Sequence, residues 1–173
     1  MKITNIIDAI QAIRITLKKK YLLFFVTTVP VILLDQITKA YISSTMSAHE
    51  SFAVIEGFFN ITYIRNPGAA FGFLAGVSPV FRYVFFLSVA MAALLLILYY
   101  IWKSKELPLI FSLSLISAGA VGNLIDRIRF GEVIDFLDLY IGSYHWPAFN
   151  VADSAISTGA AILILIILKR RKE

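Results

Sequence analysis

The stretch Gly122 to Ser154 holds GNLIDR (Gly122–Arg127), EVIDFLDL (Glu132–Leu139) and FNVADS (Phe149–Ser154). Asp126, Asp135, Asp138, Asp153 and Glu132 fall within it, and apolar runs suited to lipid flank it on both sides. Carboxylates in or beside a bilayer are costly to place, so they mark a site more often than decoration. This stretch therefore reads as the chemical centre of an integral membrane enzyme, and the fold follows from it: helices to cross the bilayer, with the acids gathered near one surface.

Composition agrees. Of the 173 residues, 59% are hydrophobic, whereas soluble domains sit nearer 45–50%. The mean hydropathy is +0.81. Cysteine is absent, which excludes disulfides, thiolate catalysis and cysteine-ligated zinc. His49 and His145 are too few and too far apart for a histidine metal site, so neither a metal nor a cofactor is expected. The net charge of +5 does not point to nucleic acid, because the basic residues cluster at the ends of apolar runs, as orientation signals do.

Working outward, four segments are long enough to span: 21–42, 81–102, 107–125 and 149–168. Each is near the roughly 20 residues that cross a hydrocarbon core. Pro30 should kink the first, and Ser78-Pro79 reads as the cap and first turn of the second. Tyr99, Tyr100 and Trp102 suit one interfacial belt, Tyr83 and Trp146 the other. Residues 1–20 repeat Ile3, Ile6, Ile7, Ile10, Ile13 and Leu17 at helical spacing, which predicts a cytoplasmic amphipathic extension lying on the membrane surface. A cleaved signal peptide fits less well, because the apolar run continues too far and lacks a cleavage site. Eleven of the 16 Lys and Arg residues lie in 1–20, 103–106 and 169–173. By the positive-inside rule both termini are cytoplasmic, and loops 43–80 and 126–148 lie outside.

Phe58–Arg65 and Val133–Leu137 read as strands of a small extracytoplasmic sheet, with Asn66-Pro67-Gly68 as a turn. Small residues at four-residue spacing (Ser114, Ala118, Gly122; Ala155, Gly159) should let the third and fourth helices approach closely. The expected architecture is a membrane α-helical fold. It comprises the 1–20 extension, a four-helix domain over 21–168 carrying a β-sheet cradle, and a basic cytoplasmic tail at 169–173.

Helical rise places Asp35 about 21 Å from Tyr21, Asp153 about 22 Å from Leu168 and Asp126 about 28 Å from Leu107. All three then sit in the outer part of a core about 30 Å thick. With no thiol, metal cluster or Ser-His motif, a pair of carboxylates sharing a proton is the hydrolytic device available. Asp153 is one member, facing inward with Asn150 and Ser154. Its partner is Asp126 or Asp135. Arg127 follows Asp126 and suggests an ion pair with it, whereas Asp135 lies among Val133, Ile134, Phe136 and Leu137; desolvation favours Asp135 for acid–base work. Asp138, opposite in alternation phase, is expected in solvent. Asn123-x-x-Asp126 and Asn150-x-x-Asp153 each place amide and acid on one helix face. Asp35 and Lys39, in the favourable acid-first order, read as a supporting ion pair.

LDQITK (Leu34–Lys39), RNPGAAFGFL (Arg65–Leu74), GNLIDR, EVIDF and FNVADS, in this order among four spans, resemble the bacterial lipoprotein signal peptidases, the type II signal peptidases. The resemblance runs from Tyr21 onward. It implies an aspartyl endopeptidase of the bacterial inner membrane that cuts prolipoproteins just before a diacylglyceryl-modified cysteine. It places the catalytic pair on Asp135 and Asp153. Asp35, Lys39, Asn66, Gly68, Asn123, Asp126, Arg127 and Asn150 are then site-supporting or substrate-binding, with Asn66 and Arg127 as the expected substrate or inhibitor contacts. It further implies membrane lipid as a partner, sensitivity to the cyclic peptide globomycin, and no nucleic-acid partner; a monomer is expected. Two other classes compete. A transporter predicts acids spread through membrane depth, and a structural membrane protein with acids as helix glue predicts tolerance of Asp153→Asn.

Overall fold

The computed structural model describes residues 3–68 and 76–172, the side chains of 3–17 excepted. In chain order the elements are α1 (Ile3–Thr45), β1 (Ser51–Ile55), β2 (Phe59–Asn66), α2 (Pro79–Lys103), α3 (Leu107–Phe130), β3 (Val133–Ile141), β4 (Tyr144–His145) and α4 (Val151–Arg170). Lys18–Thr45, Pro79–Lys103, Leu107–Phe130 and Val151–Arg170 are long and apolar enough to cross a membrane. The chain is a multi-pass membrane protein carrying a small antiparallel sheet.

Two boundaries differ from the sequence reading. The expected extension 1–20 is not set off from the first span: α1 runs unbroken from Ile3, with Pro30 inside it. No Gly, Pro or capping residue lies between Leu17 and Tyr21 to interrupt the hydrogen-bond ladder. The side chains of the repeating Ile3 to Leu17 lie outside the described residues. Likewise α3 does not stop at Ile125 but continues to Phe130, so Asp126 and Arg127 are helical rather than in a loop. The stop is Gly131, in the left-handed region at φ 76°, whose N–H donates to Arg127 O. The start of α2 is as read: Pro79 occupies the first turn and Ser78 Oγ accepts from the Phe81 N–H.

The sheet has the order β1-β2-β3-β4. β2 is the first expected strand shifted by one residue, β3 extends the second to Ile141, and β1 and β4 are additional. Antiparallel pairing sets Ile64 opposite Asp135 and Asn66 opposite Val133, with a register shift between Ile61 and Ile64. Ile42 of α1 packs with Tyr63, Ile134 and Phe136, which fastens the sheet to the bundle.

α3 is the central helix. Its span is 61% buried, against 11–17% for the other three. Small residues make this possible. A Cβ at Gly119 would lie 2.2 Å from Ala152 O, and one at Gly159 would lie 2.7 Å from Ser112 O. Ser112 Oγ donates to Gly159 O at 2.9 Å, closing the same seam. At the end remote from the sheet, Ile97, Ile101, Ile110 and Leu113 form a second cluster. There the buried Lys20 donates to Trp102 O at 2.7 Å and Ile101 O at 3.2 Å, satisfying carbonyls that end α2. Leu22, Phe25, Leu95, Leu96, Ile164 and Leu165 face outward, as lipid-contacting side chains must.

Candidate active site

Where α1, α3 and α4 meet, the bundle buries formal charge. Asp35, Lys39 and Asp126 are 0%, 2% and 1% exposed. Lys39 Nζ stands 2.9 Å from both Asp35 Oδ2 and Asp126 Oδ2, and donates to Asn123 Oδ1 at 3.0 Å. Buried ions are tolerated only when paired and fully hydrogen-bonded, and here they are. Asp35 Oδ1 accepts the Ala152 N–H at 2.9 Å, one of the unsatisfied donors at the start of α4. Asp126 Oδ2 accepts the Ile134 N–H at 3.2 Å, tying β3 to α3. Gln36 Nε2 donates to Asp35, Gly122 O and Asp126.

The Asp35–Lys39 pair is therefore as expected, but the pairing read from Asp126-Arg127 is not. Successive helical side chains diverge by about 100°, so Asp126 turns to Lys39 while Arg127 turns elsewhere. Arg127 Nη2 donates to Gly68 O at 3.1 Å, and its guanidinium lies 4.7 Å from the centre of the Phe86 ring. The amide–acid pairs also differ from the helix-face reading. Asn123 serves Asp153 on the neighbouring helix, and Asn150 is the N-cap of α4 rather than a residue within it.

Asp135 comes from β3 and Asp153 from the first turn of α4. Asp153 forms a capping box with Asn150: Asn150 Oδ1 accepts the Asp153 N–H at 2.9 Å, and Asp153 Oδ2 accepts the Asn150 N–H at 3.2 Å. Asn150 Nδ2 then donates to Asp135 Oδ1 at 2.7 Å, so one buried amide joins the two acids. Asp135 Oδ2 accepts from Asn66 Nδ2 at 2.9 Å, and Asp153 Oδ1 from Asn123 Nδ2 at 2.8 Å. Asn66 is itself oriented, since its Oδ1 accepts the Gly68 N–H at 3.0 Å in a side-chain turn. Ala69–Leu74 of the RNPGAAFGFL motif lie outside the described residues.

Both carboxyl groups line one cavity of about 640 Å³, together with Asn66, Gly68, Asn123 and Arg127. Leu139 and Trp146–Phe149 form one wall, Ser154 and Ile156–Thr158 of α4 another. Burial pushes the Asp135 carboxyl up to about 7, and the nearby Asp153 charge adds to the rise, while the Asn66 and Asn150 hydrogen bonds and Lys39 hold it back. Asp135 thus retains a proton close to neutral pH.

The expectation that Asp138 is solvated is overturned. It is 8% exposed; Asn60 Nδ2 donates to its Oδ2 at 2.8 Å, and His145 Nδ1 stands 2.9 Å from its Oδ1. Alternation fails because the first half of β3 is covered on both faces and its partner strand shifts register. Sequence reasoning gave no role to Gln36, Asn60 or His145. Gln36 alone carried a signal, lying between Asp35 and Lys39 in LDQITK.

Comparison with known proteins adds a second line. A family model described as "Signal peptidase (SPase) II" matches residues 27–169. The chain belongs to the signal peptidase II family. Members of this peptidase family that it resembles include the "Lipoprotein signal peptidase" of Syntrophus aciditrophicus (strain SB), 58% identical over 91% of this chain and 99% of that one. That of Desulforapulum autotrophicum is 55% identical over 78% and 84%. A solved structure titled "Bacterial membrane enzyme structure by the in meso method at 2.3 A resolution" superimposes with a TM-score of 0.77 at 40% identity, covering 84% of this chain and 87% of its own. The arrangement places two carboxyl groups in distinct environments, one on a strand and one at a helix start, on a single cavity.

Proposed function

We propose that the chain is a membrane aspartic endopeptidase that removes signal peptides from diacylglyceryl-modified prolipoproteins, cutting just before the lipidated cysteine. The carrying observation is that Asp135 and Asp153, from different elements, face one cavity and are linked through Asn150. Family membership supports the prolipoprotein substrate. In the reaction one aspartate takes a proton from a water held between the pair, and the water attacks the scissile carbonyl. The other gives its proton to the oxyanion, and the pair then passes a proton to the departing amine. Asn66, Gly68 and Arg127 border the cavity and meet the substrate backbone; Asp35, Lys39, Asn123, Asp126 and Asn150 hold the acids in place. The substrate's lipid lies along the bundle, which confines the scissile bond to the depth of the acids and makes the encounter nearly intramolecular.

The setting is the bacterial inner membrane, with a monomer whose termini are cytoplasmic and whose acids face outward. The basic residues flanking the spans support this orientation. The helical stretch Ile3–Lys20 continues the first span on the cytoplasmic side of the peptidase domain over 21–168, and the sequence ends in a basic run from Lys169.

The test is digestion of a synthetic diacylglyceryl-modified prolipoprotein by the purified full chain, with products read by mass spectrometry. The expected product begins at the lipidated cysteine, the unlipidated precursor stays intact, and globomycin blocks turnover. Equal cleavage of the unlipidated precursor, or cleavage elsewhere, contradicts the proposal.

A further inference from the structure

Lys39 touches neither Asp135 nor Asp153, yet it governs how one of them is held. Asn123 stands between Lys39 and Asp153. Its Oδ1 accepts from Lys39 Nζ at 3.0 Å, and its Nδ2 donates to Asp153 Oδ1 at 2.8 Å. An amide turned over would set its NH₂ against the Lys39 ammonium and its oxygen against the Asp153 carboxylate, two repulsive contacts in a buried site. Among the described residues, the only other donor to Asn123 Oδ1 is Asn150 Nδ2 at 3.3 Å, and that group is also within reach of Asp135 Oδ1 at 2.7 Å and Ile134 O at 3.1 Å. Three acceptors share its two hydrogens, so the lysine decides the orientation.

The two acids are held unequally in consequence. Asp153 receives a side-chain N–H through this chain and a backbone N–H from Asn150, and it sits in the first turn of α4, where the helix field favours an anion. Asp135 is on a strand, outside the helical turn that carries Asp153, and its donors are the neutral side-chain amides of Asn66 and Asn150. Among the described residues, the charged groups around the pair are Asp35 and Lys39 from α1 and Asp126 and Arg127 from α3. Two acids and two bases leave no formal surplus to stabilise a second carboxylate.

We infer that Lys39 is a positioning residue that fixes the Asn123 amide and so makes Asp153 the resting carboxylate, the base toward water, while Asp135 carries the proton and is the acid. The inference rests on the aspartic-peptidase reading. It divides the roles of the pair, which that reading leaves open.

The test is the pH profile of kcat/KM for the full-length enzyme on a diacylglyceryl-modified prolipoprotein peptide. Asn123→Ala leaves each buried ion pair intact. It is expected to lower kcat about tenfold or more with little change in KM, and to move the acid limb to higher pH by about one unit, the alkaline limb staying in place. The double variant Lys39→Met with Asp126→Asn removes one buried charge of each sign and is expected to shift the same limb in the same direction. A structural role alone would lower the folded fraction without moving either limb. An acid limb that stays in place in Asn123→Ala, or an alkaline limb that moves instead, overturns the inference. If the double variant does not fold, Asn123→Ala decides alone. Turnover surviving in Asp135→Asn or Asp153→Asn would refute the underlying peptidase reading instead, so the two failures are distinguishable.

Discussion

Asn150 donates its side-chain N–H to Asp135 Oδ1 at 2.7 Å while capping α4, the helix that carries Asp153. One residue thus sets the end of a membrane helix and the separation of two acids. The strand and the helix have no covalent reason to keep a fixed spacing; this buried amide supplies one.

The two duties of Asn150 can be separated. Asn150→Ala removes both and is expected to lower stability by about 0.5–2 kcal/mol through loss of the cap, together with most of the turnover. Asn150→Ser keeps a capping oxygen but has no amide to reach Asp135. Thermal unfolding should therefore recover toward wild type in the serine variant while kcat does not.

The pH dependence follows from the raised Asp135 carboxyl. A group pushed up to about 7 by burial keeps its proton below that pH and loses it above. With Asp135 as the acid, kcat/KM should fall as pH rises through about 7. Asn66→Ala removes a donor that stabilises the charged form, so the alkaline limb should move upward, as a stopped assay across pH 5–9 (roughly two units either side of neutral) would register.

Close approach of α3 and α4 gives a stability prediction. Gly119→Ala sets a methyl group 2.2 Å from Ala152 O, which the backbone must move to relieve. Overpacking of this kind typically costs about 1–3 kcal/mol, and the displaced start of α4 carries Asp153 with it. Gly57→Ala meets nothing within 4 Å among the described residues, so only its positive φ of 77° opposes the change, and it should lower the melting temperature less than Gly119→Ala does.

The cluster around Asp138 braces the segment Trp146–Phe149 that walls the cavity. Asp138→Ala leaves Asn60 and His145 without their carboxylate partner and loosens that wall. Michaelis–Menten analysis should show KM rising more than kcat falls.

Much of the architecture was legible in the residues because lipid imposes a coarse rule. Apolar runs near 20 residues long must be helices, and four were visible. The strand Phe59–Asn66 was visible through its β-branched and aromatic content. The apolar run ends at Ile125, before the charges of Asp126 and Arg127, whereas the helix stops only at Gly131. The Asp126 partner and the burial of Asp138 depend on which elements meet across the bundle and the sheet. Neither follows from neighbours in the chain: Lys39 is distant in sequence from Asp126, and Asn60 reaches Asp138 only through strand pairing. The capping role of Asn150 was hidden for a simpler reason, since an Asn-x-x-Asp spacing suits a helix face and a capping box alike.

The most direct measurement is single-turnover cleavage of a diacylglyceryl-modified prolipoprotein by wild type, Asp135→Asn and Asp153→Asn, each shown to be folded by its melting curve. Each variant is expected to fall by about a thousandfold or more, since the reaction needs both an acid and a base. A folded variant of either kind that keeps turnover within a few-fold of wild type would contradict the account.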